Sequence, residues 1–327
     1  MIRLSIIVPL YKSEKYLPKC IESLLHQDIP ISEYEIVLVN DGSPDNSLQI
    51  AERYAQTYTN IKVISQKNKG TSSARNSGMA IARGKYIRFV DPDDYVPENS
   101  FKAILEQIEQ EQLDILRFDY RMVNEQYTDI PKPMSAARIN YSPQIMNGEQ
   151  FLAERLGFAC YIWTFIYKRS IIQKNNIQFF EGDYYDDTPW TPRVILKAHR
   201  INSIPSIGYY YYIRQDSLVR NNSMESRKKK NDGTLFLIKE LCLQRKTINN
   251  SIAKKWYDGM IANCSISLLN RVASEHYIDR QEIISSLKCL NVFPLSQYYS
   301  ERKAKRKILI ANISPKLLCF LLRLKNN

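Results

Sequence analysis

The chain has 327 residues and contains neither G-x-G-x-x-G nor G-x-x-x-x-G-K-[ST]. The glycine-rich loops that cradle phosphates in dinucleotide oxidoreductases and P-loop enzymes are therefore missing, and both classes are set aside. Histidine is scarce: His26, His199 and His276 stand apart from one another and from cysteine, so no metal site of spaced His and Cys pairs is assigned. The six cysteines, at positions 20, 160, 242, 264, 289 and 319, form no C-x-x-C pair. Free, mostly buried thiols in a reducing compartment are expected. Met1-Ile2-Arg3 leads straight into a strand-like run with no secretion signal ahead of it, which points to the cytoplasm. Internal repeats and low-complexity tracts are also absent.

What is present begins with Asp91-Pro92-Asp93-Asp94, directly after the apolar run Tyr86-Ile87-Arg88-Phe89-Val90. Carboxylates this close repel one another, and a fold that keeps them together at the end of a strand usually supplies a divalent cation. The N-terminal third provides the setting, because apolar strand-like runs alternate with helical patterns as in a parallel α/β sheet. Strands are predicted at 4–9, 35–39, 61–64 and up to Val90. Helices are predicted over 16–25, with Ser13 as N-cap and Pro18 near the start, over 47–58 and over 72–82. Asn40-Asp41-Gly42-Ser43-Pro44 is a turn signal at the end of the second strand. In open α/β sheets ligands bind outside the carboxyl ends of the strands, which brings Asp41 and the cluster 91–94 to one crevice. That geometry predicts a nucleotide site.

Ser5-Ile6-Ile7-Val8-Pro9, Val39-Asn40-Asp41-Gly42-Ser43, Asn68-Lys69-Gly70 with Ala74-Arg75-Asn76, and Phe89-Val90-Asp91-Pro92-Asp93-Asp94 occur in that order. Together they resemble the motifs of family 2 glycosyltransferases, closely over residues 1–120 and more loosely to about 215. The resemblance implies a GT-A fold, a Rossmann-like open mixed sheet flanked by helices, and inverting transfer of a sugar from a nucleotide diphosphate, with a UDP-sugar the expected donor. By similarity Asp41 contacts the nucleobase or ribose, and Pro9 and Tyr11, on the loop after the first strand, line the base pocket; Asp41-Gly42 also reads simply as a turn. Arg75, just inside a helix after the loop 67–70, is placed at the nucleotide. Its other reading is an arginine on a solvated helix face.

The acidic cluster resembles the family's DxD element, which implies Mn²⁺ or Mg²⁺ on Asp93, with Asp91 either a second ligand or a ribose contact. Asp94 is expected to cap a helix beginning near Glu98. Glu181-Gly182-Asp183-Tyr184-Tyr185-Asp186-Asp187 resembles the Glu-Asp pair that supplies the catalytic base, with Asp186 in place of the usual glutamate. Asp187 takes the base position and Asp186 is second choice; adjacent carboxylates raise one another's pKa, which suits a base near neutral pH. Asp187-Thr188-Pro189 also reads as a helix N-cap with proline in the first turn. Trp163, in a segment resembling the acceptor side, and Trp190, on the helix after the acidic pair, are assigned to acceptor binding; tryptophan in an apolar run is as often core. Tyr209 to Ile213 followed by Arg214 resembles a further family segment, with the arginine near the nucleotide phosphates or acceptor.

Residues 1–220 are read as the catalytic domain, with a nucleotide-binding half (1–120) and an acceptor half (121–220). Segment 119–147, weak in periodicity, is read as an insertion over the cleft. The basic stretch Arg227-Lys228-Lys229-Lys230 is read as a boundary, followed by a helical, basic C-terminal region, 221–327. The net charge is +12, from 46 basic and 34 acidic residues. Near the end Lys305, Arg306 and Lys307 precede Ile308-Leu309-Ile310, and Leu317 to Leu322 is flanked by Lys316, Arg323 and Lys325. That run is far too short to span a bilayer. It suits a tail lying on the anionic inner face of the cell membrane, and also a helix docked on the protein's own core with a solvated basic face. Membrane attachment fits a lipid-linked glycan acceptor, implied by the resemblance alone. Nucleic-acid binding would explain the charge but lacks interleaved base-stacking aromatics, so no nucleic-acid partner is expected. A nucleotidyltransferase is the alternative enzyme.

Overall fold

The computed structural model describes residues 1–126, 128–131, 141–182, 185–213, 223–274, 280–298 and 302–326. The chain divides into two compact units, 1–182 with 186–220, and 183–185 with 221–327.

The first unit is built on one mixed sheet. Its strands are β1 (Leu4–Leu10), β2 (Tyr34–Asp41), β3 (Ile61–Gln66), β4 (Tyr86–Phe89), β5 (Ile115–Val123), β6 (Asp129–Ile130), β7 (Ser142–Met146), β8 (Phe165–Lys168) and β9 (Ile201–Tyr212). Their spatial order is β3-β2-β1-β4-β8-β5-β9-β7, with β6 beside β5. β3, β2, β1 and β4 run parallel, with Ile6 opposite Ile36 on one side and Arg88 on the other. β8 is antiparallel to both β4 and β5, and β9 is parallel to β5. β1 and β2 are buried over their whole length, as expected of strands covered on both faces by helices.

The helices of this unit are α1 (Leu17–Leu25), α2 (Ser47–Thr57), α3 (Thr71–Ile81), α4 (Phe101–Gln110), α5 (Gly148–Phe151), α6 (Arg169–Lys174) and α7 (Asp187–Ile195). α3 lies close on β1 because it carries glycine at the contact: a Cβ on Gly78 would stand 2.5 Å from Ile7 Cγ2. Ser13 does not cap α1 with its side chain. Its carbonyl accepts the Leu17 N–H, and its hydroxyl donates to the carbonyl of Tyr11. α4 begins at Phe101, one turn later than expected. Segment 119–147 is not simply an insertion: β5 extends to Val123, and β6 and β7 belong to the sheet, with 132–140 outside the described residues.

The second unit is helical: α8 (Met224–Lys246), α9 (Ser251–Ser274), α10 (Arg280–Cys289), α11 (Arg302–Ile313) and α12 (Pro315–Asn326). The basic stretch 227–230, read as the boundary, lies inside α8, and the division between the units falls just before that helix, at 220/221. α9 is the element on which α8, α11 and α12 pack, and it buries Trp256, Tyr257, Leu268 and Leu269. No helix among the described residues is long and apolar enough to cross a membrane.

Candidate functional site

β2 and β4 end on the same edge of the sheet, and the residues that follow them are tied together through α3. Asp41, the last residue of β2, is almost wholly buried. Its Oδ1 accepts from the Lys69 N–H (2.9 Å) and the Gln66 side-chain amide (2.8 Å), and its Oδ2 accepts from the Gly70 N–H (2.8 Å). Ser77 on α3 donates to the other end of the Gln66 amide at 2.6 Å. Asp41 thus fastens the loop that opens α3 onto the end of β2. The turn reading is also present, because Gly42 has φ +63° and a Cβ there would meet the Asn68 nitrogen at 2.8 Å.

Arg75 sits one turn into α3, and its side chain is only 5% exposed. It is not on a solvated face. One guanidinium nitrogen donates to Asp91 Oδ1 at 2.8 Å, and another donates to Asp186 and stands 3.6 Å from Asp187 Oδ1. Desolvation alone would lower its pKa, but the charges of Asp186, Asp91 and Asp187 outweigh that and raise it. Next to it, Asn76 pins the approach to the acidic pair, accepting from the Phe179 N–H (2.8 Å) and donating to the Phe179 carbonyl (3.0 Å).

The pair itself divides its work. Asp186 precedes α7 and accepts from the Asp187 N–H at 2.9 Å, so the cap belongs to Asp186 and not to Asp187. Asp187 is the less committed acid: among the described residues Oδ1 has no hydrogen bond, and Oδ2 accepts a long one, 3.4 Å, from the Ile162 N–H. Burial, then repulsion from Asp186, pushes its carboxyl well above the usual range, against the pull of Arg75.

Asp94 does not cap a helix. It is buried and accepts from the Tyr209 hydroxyl (2.7 Å) and the Tyr212 N–H (2.8 Å), which joins the acidic turn to the end of β9. The Tyr209 hydroxyl also accepts from the Asp91 N–H at 3.1 Å. Asp91 and Asp93 remain half-buried beside it. Among the described residues no three His, Cys, Asp or Glu side chains gather as a self-sufficient metal site. The turn fits the other way a hard divalent cation is held, by one or two carboxylates with substrate phosphates and water completing the shell.

Three assignments change. Pro9 lies buried within β1, opposite Val39, and only Tyr11, 45% exposed, stands on the loop beyond the strand. Trp190 is fully buried, stacked on Phe179 at 4.5 Å and in edge contact with Phe89 and Tyr167, so it has no face for a sugar. Trp163 is 6% exposed and lies nearly parallel to Tyr161, Tyr209 and Tyr211, so it is the centre of an aromatic stack and not an open platform. Arg214 lies outside the described residues.

Sequence reasoning passed over Asp45, Gln66 and the hydroxyl of Tyr209. Asp45 accepts from the hydroxyls of Ser43 and Ser47 and from the Glu14 N–H, joining the loops after β1 and β2. The Ser-Pro-Asp-x-Ser pattern at 43–47 carried a signal for this, since short polar side chains around a helix start bond locally. Gln66 and Tyr209 carried none, because their partners come from distant parts of the chain.

Comparison with known proteins gives the family and the fold. A family model described as "Glycosyl transferase family 2" matches residues 5–175. The uncharacterized glycosyltransferase EpsJ of Bacillus subtilis (strain 168) is 39% identical over 216 residues, 65% of this chain and 62% of EpsJ. The poly(ribitol-phosphate) beta-N-acetylglucosaminyltransferase TarS of Staphylococcus aureus is 31% identical over 219 residues, 66% of this chain and 36% of TarS. The chain therefore spans less than two thirds of the length of these curated relatives. The crystal structure of S. aureus TarS 1-349 in complex with UDP-GlcNAc superposes with a TM-score of 0.71 over 98% of this chain and 89% of that one, at 23% identity. A mannosyltransferase from Pyrobaculum calidifontis, in complex with GDP-Man and Mn²⁺, gives 0.56 at 12% identity over 99% and 88% of the two chains. The fold is GT-A.

Proposed function

The chain belongs to glycosyl transferase family 2, and on that premise we propose that it transfers a sugar, with inversion, from a UDP-sugar to a glycan or lipid-linked glycan in cell-surface polysaccharide synthesis. The observation that carries this reading is Arg75, which joins Asp91, on the turn assigned by resemblance to the donor diphosphate, to Asp186 and Asp187, the pair assigned to the acceptor. TarS, bound to UDP-GlcNAc or UDP in its crystals, and EpsJ support the donor and reaction class.

In this mechanism Asp187 accepts the proton of the acceptor hydroxyl. The hydroxyl oxygen forms a bond to the anomeric carbon from the face opposite the nucleotide, and the bond from that carbon to the diphosphate oxygen breaks with its electron pair leaving on the nucleotide. Asp186, held by Arg75 and capping α7, keeps Asp187 in place. Arg75 couples the two halves of the site and supplies positive charge beside the departing diphosphate. The loop fastened by Asp41 and the ring of Tyr11 frame the base side. A divalent cation held by Asp93 and Asp91 supplies charge neutralisation for the leaving group. The setting is the inner face of the cell membrane, where a lipid-linked acceptor is carried.

The test is to supply, in parallel reactions with Mn²⁺, a UDP-sugar with a glycan acceptor and UTP with a sugar 1-phosphate, and to identify the products. Release of UDP in the first is expected; release of pyrophosphate from UTP in the second, with none of the first, would establish a nucleotidyltransferase instead. Asp93→Ala and Asp187→Ala should each abolish transfer, with calorimetry showing weakened metal-dependent UDP binding only in the first. Unchanged UDP affinity in Asp93→Ala removes Asp93 from the metal.

A further inference from the structure

α12 is apolar on two sides. Pro315, Leu318 and Cys319 are buried, and the Cys319 thiol donates to the Leu269 carbonyl of α9, so this side seats the helix in its own unit. Leu317, Phe320, Leu321 and Leu324, spaced i, i+3, i+4 and i+7, form a second stripe that is 41%, 60%, 41% and 60% exposed. α11 repeats the division one helix earlier in the chain: Ile308 and Ala311 are buried, while Leu309 and Ile313 are 52% and 81% exposed. These exposed side chains all fall between Leu309 and Leu324, on two short helices joined at Ser314. Scattered exposed leucines need no explanation, but a run of this density marks a contact surface.

Charge decides what the surface contacts. Residues 302–327 include no Asp or Glu, while Lys305, Arg306, Lys316 and Arg323 lie exposed on the same two helices. A second copy of the chain would bring like charges together around the apolar stripe, which opposes association. An anionic bilayer is attracted by the basic groups and receives the apolar side chains at its headgroup boundary. The geometry points to an anionic lipid surface as the occupant of the exposed face of α11 and α12. One stripe of each helix docks on the protein, and the other lies on the membrane, so the two roles that the sequence offers for this tail are held by opposite faces of the same helices. This inference does not rest on the glycosyl-transfer reading.

The full chain is sedimented with phosphatidylcholine vesicles containing about a third phosphatidylglycerol, and with phosphatidylcholine alone. Wild type should pellet with the anionic vesicles and much less with the neutral ones. Phe320→Asp with Leu324→Asp should weaken that binding roughly tenfold or more, and Arg306→Glu with Arg323→Glu should abolish the preference for anionic lipid. Both double substitutions are on exposed positions, so helicity by circular dichroism and the urea midpoint should stay at wild type. Failure of wild type to pellet with anionic vesicles overturns the inference, as does equal binding of wild type and the Phe320/Leu324 variant. A wild-type oligomer that the Phe320/Leu324 variant reduces to monomer in light scattering, without vesicle binding, assigns the surface to a second copy and also overturns it. No nucleotide sugar enters the assay, so a failed transfer reaction leaves its result intact.

Discussion

Arg75 places one buried positive charge among three carboxylates, and each would be less stable there without it. Removing one partner of a buried ion cluster leaves charges without compensation, which costs about 3–5 kcal/mol. Arg75→Ala should therefore lower unfolding stability by about that amount in urea titrations, and Arg75→Lys should not restore it, because one ammonium cannot span two carboxylates as the planar fork does. A loss below about 1 kcal/mol would show that the cluster is solvated. Asp187 gives a prediction of opposite kind. Its carboxyl is raised by burial and by Asp186, yet a base must be ionised to work. Transfer should therefore fall as pH drops through the raised pKa, with the acid limb of kcat above the ordinary carboxylate value of about 4. Asp187→Asn should cost roughly 10²–10⁴ in kcat and erase that limb. A limb at or below the ordinary value refutes the assignment. At this scale the residues that Arg75 gathers were legible in short motifs, whereas which of Asp186 and Asp187 caps α7 was not. Two adjacent aspartates look alike until a helix start claims one of them.

The elements meet through their loops. Asp45 is opposed by its partial burial, but the hydroxyls of Ser43 and Ser47 and the N–H groups of Glu14 and Ser47 outweigh this and hold its carboxyl at about 2. Its folded pKa is depressed, so its stabilisation is present above the unfolded value near 4 and disappears as pH falls from there through about 2. Because Asp45 is partly exposed, solvent screening limits the effect to about 1 kcal/mol. Asp45→Asn should lower the urea midpoint by that margin at pH 7, with the gap from wild type closing in acid; a gap that persists at low pH would place the effect elsewhere. The strands and helices up to Val90 were legible because buried parallel strands are continuous apolar runs and α1 to α3 have regular apolar spacing. β5 and β7 were harder. β5 departs from regular pairing with β9 between Arg117 and Tyr120, and β7 pairs with β9 with a register shift between Ser142 and Met146, so neither gives a clean alternation.

For the molecule as a whole, the proposed metal would belong to the complex and not to the protein alone. Among the described residues no three ligating side chains gather, so a cation on Asp91 and Asp93 would need donor phosphates to complete its shell. A chelator should abolish transfer and added Mn²⁺ should restore it, while the urea midpoint of the nucleotide-free protein stays unchanged. Calorimetry should show Mn²⁺ binding much tighter with UDP present; tight binding without nucleotide would reveal a preformed site. The sequence by itself determined the α/β class, the acidic turn after β4 and the basic, leucine-rich end, because each is written in neighbouring residues whose spacing matches a local period. Only the tertiary structure decided that Arg75 meets Asp186, 111 residues away, that Trp190 is sealed in the core, and that α12 keeps an apolar stripe exposed. Those outcomes depend on which distant surfaces the folded chain brings into contact, and no local spacing encodes that.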